Sequence, residues 1–461
     1  MIQSLRMEQG FYRRLWRLSL PIILQNLITT SLGFADTFMV GLLGNAEMAA
    51  VTAANTPIFI IQIAIFGFQS GMAVLVSQYW GRGDTDNINR CMGVALYAAT
   101  GFAALVAGAC FFFPEGVMRL ITDNEALVAL AADYIRIVGI SYIFNAVSSV
   151  YVGVQRSTEF PAFGMILFGI SMAVNTFLNF VLIFGKFGAP ALGVTGAAIA
   201  TLTSRVVEFA CAVLFALFSR RLPLRPKYIL APGMDTVRRF IKYATPVVCN
   251  ETLWSTGTSM LTVIMGHMAN SQDMLAAHAL IGNVARLSEV ASFGIAASTA
   301  LIVGKEIGMG QSRDRVYRVS GTLLRVSVLT GAAVTAVLLV LIPAFFQPVL
   351  FPLFKLSPGA AEAATYMAVI FAVFMPVTAF DVTNVTGVLR SGGDTKVAAI
   401  IDIAPLWLFA IPAMTITALV LESPVWVVCI AMRGENFLKC PLGLTRFRSR
   451  KWINDITRIE A

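Results

Sequence analysis

Twelve apolar stretches, each long enough to cross a bilayer, follow one another along the chain at approximately 17–43, 51–79, 91–113, 126–154, 162–185, 192–219, 239–266, 279–304, 318–343, 362–389, 395–420 and 423–441. A hydrocarbon core about 30 Å thick needs about 20 apolar residues at a helical rise of 1.5 Å. Backbone in lipid must satisfy its own hydrogen bonds, and these stretches lack the alternation of a barrel strand, so each is predicted to be a helix. Composition agrees: 57% of the 461 residues are hydrophobic and 13% are charged. Soluble domains carry about 25% charged residues, so an ordinary globular protein is excluded. The first stretch follows a basic segment, as in a signal peptide, but runs on to about Leu43 without a small-residue cleavage site. It is read as a retained first span.

The loops orient the chain. With both termini cytoplasmic, inside segments carry 27 Lys and Arg, whereas outside loops carry Arg119, Lys186 and Lys355. That bias predicts a multi-pass protein of the cell membrane in this orientation. The net charge of +9 therefore reports topology, and no nucleic-acid partner is expected.

The polar segment "SRRLPLRPKYILAPGMDTVRRF" separates spans six and seven, and the sequence before it recurs after it. "FADTFMVGLLGNAEMAAVTA" parallels "LTVIMGHMANSQDMLAAHAL", "QYWGRGDTDNINR" parallels "KEIGMGQSRDRVYR", and "YVGVQRSTEFPAFGMI" parallels "VTGVLRSGGDTKVAAI". Six spans per half make the repeat parallel, about an axis along the membrane normal. The predicted fold is an all-α integral membrane protein of twelve transmembrane helices in two six-helix lobes. The expected divisions are an N-terminal lobe over 1–219, a cytoplasmic linker over 220–238, a C-terminal lobe over 239–441 and a basic cytoplasmic tail over 442–461. Two such lobes are expected to enclose a cleft and to rock between inward and outward access, which is a transporter's plan.

Polar residues inside the spans sharpen that expectation. Asp36 lies in the outer half of span one, where a carboxylate costs roughly 2.5–3.5 kcal/mol on insertion scales. Asn175 and Asn179 are four apart on one face of span five, and Asn145 in span four and Thr201 in span six add oxygen. A carboxylate among neutral oxygen donors suits a proton or Na⁺. Asn and Thr alone also serve as interhelical glue, at around 0.6 kcal/mol each. In the second half, Glu251 and Asp381 lack a basic neighbour at helical spacing and are read as unpaired acids for a cationic substrate or second cation, with Trp254 either beside Glu251 or facing lipid. Arg205 with Glu208, and Arg286 with Glu289, are three apart and are read as structural pairs. Asp402, near the inner end of span eleven, carries little weight. Abundant Phe and Met (33 and 19) give weak support to an adaptable, apolar cavity. The six cysteines show no CxxC spacing and are read as small hydrophobes.

Several motifs resemble those of the multidrug and toxic compound extrusion (MATE) family: "ADTFMVG" in span one, "VSQYWGRGD" after span two, "NTFLNFVLIFG" in span five, "GVTGAAIAT" entering span six and "GVLRSGGDT" after span ten. The resemblance covers essentially the whole chain, and "ESPVWVV" and "GLTRFRSRKWIND" are similar to bacterial members, especially those of Gram-positive gut anaerobes. It implies a monomeric, cofactor-free antiporter that expels small, cationic, amphipathic drugs or metabolites in exchange for H⁺ or Na⁺. One branch uses an acid of span one with polar residues on spans four, five and six, matching Asp36, Asn145, Asn175, Asn179 and Thr201. Some members carry an Asp where this chain has Asn179, which leaves Asp36 as the single acid of that site. A NorM-like branch also uses a Glu on span seven and an Asp on span ten. Glu251 fits that pattern, and Asp381, nine residues before Arg390, fits it less closely.

Two other classes fit less well. A lipid-linked precursor flippase handles a pyrophosphate and wants several cavity-facing arginines, whereas the buried charges read as unpaired are acidic. An intramembrane enzyme wants clustered His, Ser or metal ligands, and the two histidines, His267 and His278, form no such cluster.

Overall fold

The computed structural model describes residues 10–457, all of them helix or connecting loop. The first eleven expected spans appear as α1 (Phe11–Gly41), α2 (Asn45–Arg82), α3 (Thr85–Phe112), α4 (Glu125–Ser157), α5 (Pro161–Phe184), α6 (Gly193–Phe218), α7 (Met234–Gly266), α8 (Ser271–Gly308), α9 (Arg313–Leu341), α10 (Pro358–Val382) and α11 (Thr395–Pro405). The twelfth is divided into α12 (Val425–Met432) and α13 (Glu435–Ser449). The break falls at Arg433 and Gly434, where a charge and a flexible backbone interrupt the apolar run. Ten of the described helices are long and apolar enough to cross a membrane. The long α7 falls short on composition because its middle reads "NETLWSTGTS".

Local chemistry sets the helix ends. Gly83 takes a left-handed φ of 72° after α2, and the Asp84 side chain then accepts the Asn87 amide at 3.0 Å to start α3. Asn124 accepts the Ala126 amide at 3.1 Å at the start of α4. Each such cap is worth about 1 kcal/mol. Proline at the first turn of α5 and of α10 gives up an amide with no helical partner.

The fold divides into two compact units, one formed by Leu20–Val248 and the other by Met1–Ser19 with Cys249–Ala461. Two helices pass from one unit to the other: α1 at residues 19–20 and α7 at 248–249. Within the Leu20–Val248 unit, Gly67 and Gly71 of α2 admit the first half of α7. A Cβ on Gly71 would lie 2.5 Å from the Ala244 Cα, so this close helix contact requires glycine. Within the other unit, Leu15 and Leu18 of α1 pack with Leu301, Val319, Leu323 and Trp452. Packing of this kind, more than the hydrophobic effect, holds helices together in lipid.

Four π-helical stretches, Ile342–Leu350, Thr383–Leu389, Leu406–Ala410 and Ile416–Val420, extend or interrupt α9, α10 and α11. All four lie in the unit that contains Cys249–Ala461. A π turn widens the helix and re-aims the residues after it, and such turns concentrate at functional positions.

Candidate functional site

In the Leu20–Val248 unit, a chain of neutral polar side chains ends on Asp36. Asn179 Nδ2 donates to Asp36 Oδ1 at 2.5 Å and also lies 3.0 Å from Asn175 Oδ1. Asn175 Nδ2 in turn donates to Thr201 Oγ1 at 3.4 Å. The helical spacing of Asn175 and Asn179 on α5 aligns the two amides, and α6, packed against α5, supplies Thr201. Both asparagines are buried, and Asn179 Oδ1 has no hydrogen-bond partner among the described residues. Asp36 has no ion pair within 4 Å among the described residues, and Arg205 is the cationic group whose field reaches it. A carboxylate with carbonyl and hydroxyl oxygens around it and an acceptor left open forms a donor set for H⁺ or a small hard cation.

Four of the five residues expected here, Asp36, Asn175, Asn179 and Thr201, are thus joined by hydrogen bonds. Asn145 is not: its Oδ1 accepts the Ser149 hydroxyl at 2.8 Å, one turn along its own helix. In its place α4 provides Tyr134, which is buried beside Thr201 and lies in the field of Asp36. Tyr134 precedes Asn145 by eleven residues, close to three turns at 3.6 residues each, so it lies on the same face of α4. That spacing is a signal the sequence reading passed over.

The other unit is arranged differently. Arg390 Nη1 holds Glu251 Oε1 at 2.7 Å and its Nη2 lies 3.9 Å from Asp402 Oδ2. Lys439 Nζ binds Asp402 Oδ1 at 2.9 Å and Glu435 Oε2 at 2.8 Å, and Asn250 Nδ2 donates to Asp402 Oδ2 at 2.8 Å. Glu251 is therefore a paired acid, which corrects the expectation that it stands free. Its cation comes from a residue 139 positions away, out of sight of any reading by helical spacing. Asp402, given little weight above, is a hub of this network. Lys439 is buried within α13, and Arg390 is only 2% exposed.

Asp381 lies near this network, in the fields of Lys439, Glu435 and Asp402. It is 5% exposed, and its Oδ2 has no hydrogen-bond partner among the described residues. Trp254 is 39% exposed. The two expected intrahelical pairs part company as well. Arg205 Nη1 binds Glu208 Oε2 at 2.7 Å, whereas Arg286 and Glu289 form no ion pair among the described residues. Arg433, from the break between α12 and α13, is the foremost cation acting on Glu289.

With this geometry in place, the comparisons with known proteins agree. The MatE family model matches residues 21–181 and 246–416. A probable multidrug resistance protein NorM of Thermotoga maritima is 24% identical over 95% of this chain and 93% of its own. The multidrug resistance protein MdtK of Edwardsiella ictaluri is 24% identical over 88% of each. Among solved structures, the outward-facing conformation of a multidrug resistance MATE family transporter of the MOP superfamily matches 98% of each chain, with a TM-score of 0.82 at 18% identity. A MOP superfamily transporter from Pyrococcus furiosus matches 99% of each, with a TM-score of 0.80 at 18% identity. At such identities the structural likeness establishes the fold, a twelve-helix, two-lobe plan.

Proposed function

Because this chain belongs to the MatE family, we propose that it is a multidrug efflux transporter of the cell membrane that exports cationic, amphipathic compounds in exchange for inward H⁺ or Na⁺. The observation that carries the coupling is Asp36: a carboxylate kept within a membrane helix, held by the amide of Asn179 and with no cation paired to it among the described residues. Such a group responds to what binds it. When H⁺ or Na⁺ neutralises Asp36, its attraction for a cationic compound falls, and when the ion leaves, the attraction returns. One charge crossing about 100 mV of membrane potential provides roughly 2.3 kcal/mol for each cycle.

Asp36, Asn175, Asn179 and Thr201 form the coupling site in this reading, with Tyr134 as its fifth member. Asp381 is the acid best suited to meet a substrate cation or second ion in the other unit, because Glu251 already faces Arg390. That same pairing counts against handling of a pyrophosphate, since Arg390 is engaged by two carboxylates.

Ethidium loss from preloaded cells expressing Asp36→Asn tests the proposal. Efflux is expected to fall to the level of cells without the transporter, with the variant present in the membrane in normal amount. Efflux at the normal rate would remove Asp36 from the mechanism.

A further inference from the structure

The ion pair on α6 has features that a purely structural bridge does not need. Glu208 is fully buried and binds Arg205 through Oε2 alone, while its Oε1 has no hydrogen-bond partner among the described residues. Arg205 presents five N–H groups, and one of them, on Nη1, reaches Glu208. Its side chain is 19% exposed, compared with 0% for Glu208. The pair is therefore one-handed, with spare acceptor capacity on the acid and spare donors on the base.

Its position links it to Asp36. Thr201, Arg205 and Glu208 fall at i, i+4 and i+7, one stripe of α6, at about 6 and 10.5 Å along the axis from Thr201. Thr201 is the end of the hydrogen-bonded chain that runs through Asn175 and Asn179 to Asp36. Arg205 is thus bonded to one carboxylate, Glu208, and acts through its field on another, Asp36. The remaining titratable groups around Asp36 and this stripe are few. α4 contributes the hydroxyls of Tyr134 and Tyr142, the latter near Cys110 of α3, whereas Asp133 and Arg136 lie on its exposed side. α5 contributes only neutral groups, Asn175, Asn179 and Ser171.

We propose that Arg205 is a positioning residue shared between Glu208 and Asp36, resting on Glu208 while Asp36 holds its coupling ion or a substrate cation and turning toward Asp36 only in the interval when that carboxylate holds neither. No covalent step is involved: one guanidinium exchanges one carboxylate for another as the coupling ion comes and goes. Glu208 is then the resting place that keeps Arg205 from occupying Asp36 permanently, which would block the cationic substrate. The proposal rests on the coupling role of Asp36 given above and adds the device by which α6 senses its charge.

The test is ethidium binding to the purified full-length protein, followed by fluorescence anisotropy as pH is swept in sodium-free buffer. Binding should rise as Asp36 ionises and give one midpoint. Removing a nearby cation favours the neutral carboxylic acid, so Arg205→Gln should raise the midpoint by at least about half a pH unit, roughly threefold in proton affinity. Glu208→Gln frees Arg205 for Asp36 and should lower it by a similar amount. Arg205→Lys keeps the charge and should stay near the wild-type midpoint. These two last variants carry the sign test if Arg205→Gln does not fold. A merely structural bridge is broken equally by either neutral substitution, so shifts of the same sign, or none, would overturn the proposal. Asp36→Asn should abolish the midpoint altogether. If it instead kept the wild-type midpoint, the failure would lie in the role of Asp36 and not in that of Arg205.

Discussion

In the Leu20–Val248 unit the half-buried acid Asp36 meets an amide at 2.5 Å, whereas in the other unit the acid Glu251 meets a guanidinium at 2.7 Å. The repeat makes the contrast sharper. Arg156 and Arg390 occupy matching positions in the duplicated loops, yet Arg156 donates to the neutral Gln69 Oε1 at 3.2 Å, while Arg390 is bound to Glu251 and near Asp402. One half thus keeps Asp36 without an ion pair among the described residues, and the other pairs Glu251 and Asp402 with cations around helices interrupted by π turns, leaving Asp381 beside that network. A buried ion pair is held together by the penalty for separating it. A lone acid held by neutral groups can change its charge at much smaller expense. The first arrangement suits a site that cycles, and the second suits a scaffold that must not.

The most severe way to break this contrast is to remove one cation from the paired half. Arg390→Ala leaves the largely buried Glu251 without its cation while Asp402 keeps Lys439 and Asn250, and breaking such a pair costs about 3–5 kcal/mol. A large fall in thermal stability, read by size-exclusion after heating, is expected. Arg156→Ala, which leaves only a neutral amide behind, should cost about 1–3 kcal/mol. Equal losses for the two arginines would erase the distinction between the halves.

A smaller effect is expected at the cycling site, and it should appear in transport instead of stability. Asn179→Ala removes the donor to Asp36 and the neighbour of Asn175. It should slow ethidium efflux about tenfold, in line with a charge-assisted hydrogen bond worth about 1.5–3 kcal/mol, while the melting temperature stays close to that of the unaltered protein. A melting temperature reduced as far as in Arg390→Ala would make Asn179 a structural clamp. Smallest of all should be Thr201→Val, which removes one long hydrogen bond. Such contacts average about 0.6 kcal/mol in membranes, so a two- to threefold slowing of efflux is expected.

The twelve helices were legible because the bilayer imposes one length and one chemistry on every span. The neutral half of the site was legible for a related reason: Asn175 and Asn179 share a helical face, and Asp36 has no business in lipid without a task. Asn145 bonds to Ser149 one turn along its own helix, and Tyr134, three turns earlier on the same face of α4, is the residue placed beside Thr201. The charged half was hidden. Its bonds join residues 139 and 152 positions apart, and Lys439, near the end of the twelfth expected span, is buried within α13. Spacing rules describe one helix at a time, and this network belongs to several.

The most direct measurement is ion flux in proteoliposomes during ethidium exchange, with the pH gradient and the Na⁺ gradient imposed separately on wild-type protein and on Asp36→Asn. The wild type is expected to move H⁺ or Na⁺ against ethidium in response to one of the two gradients, and Asp36→Asn to move neither. Ethidium-dependent ion flux of normal size through Asp36→Asn would contradict the central role given to that carboxylate.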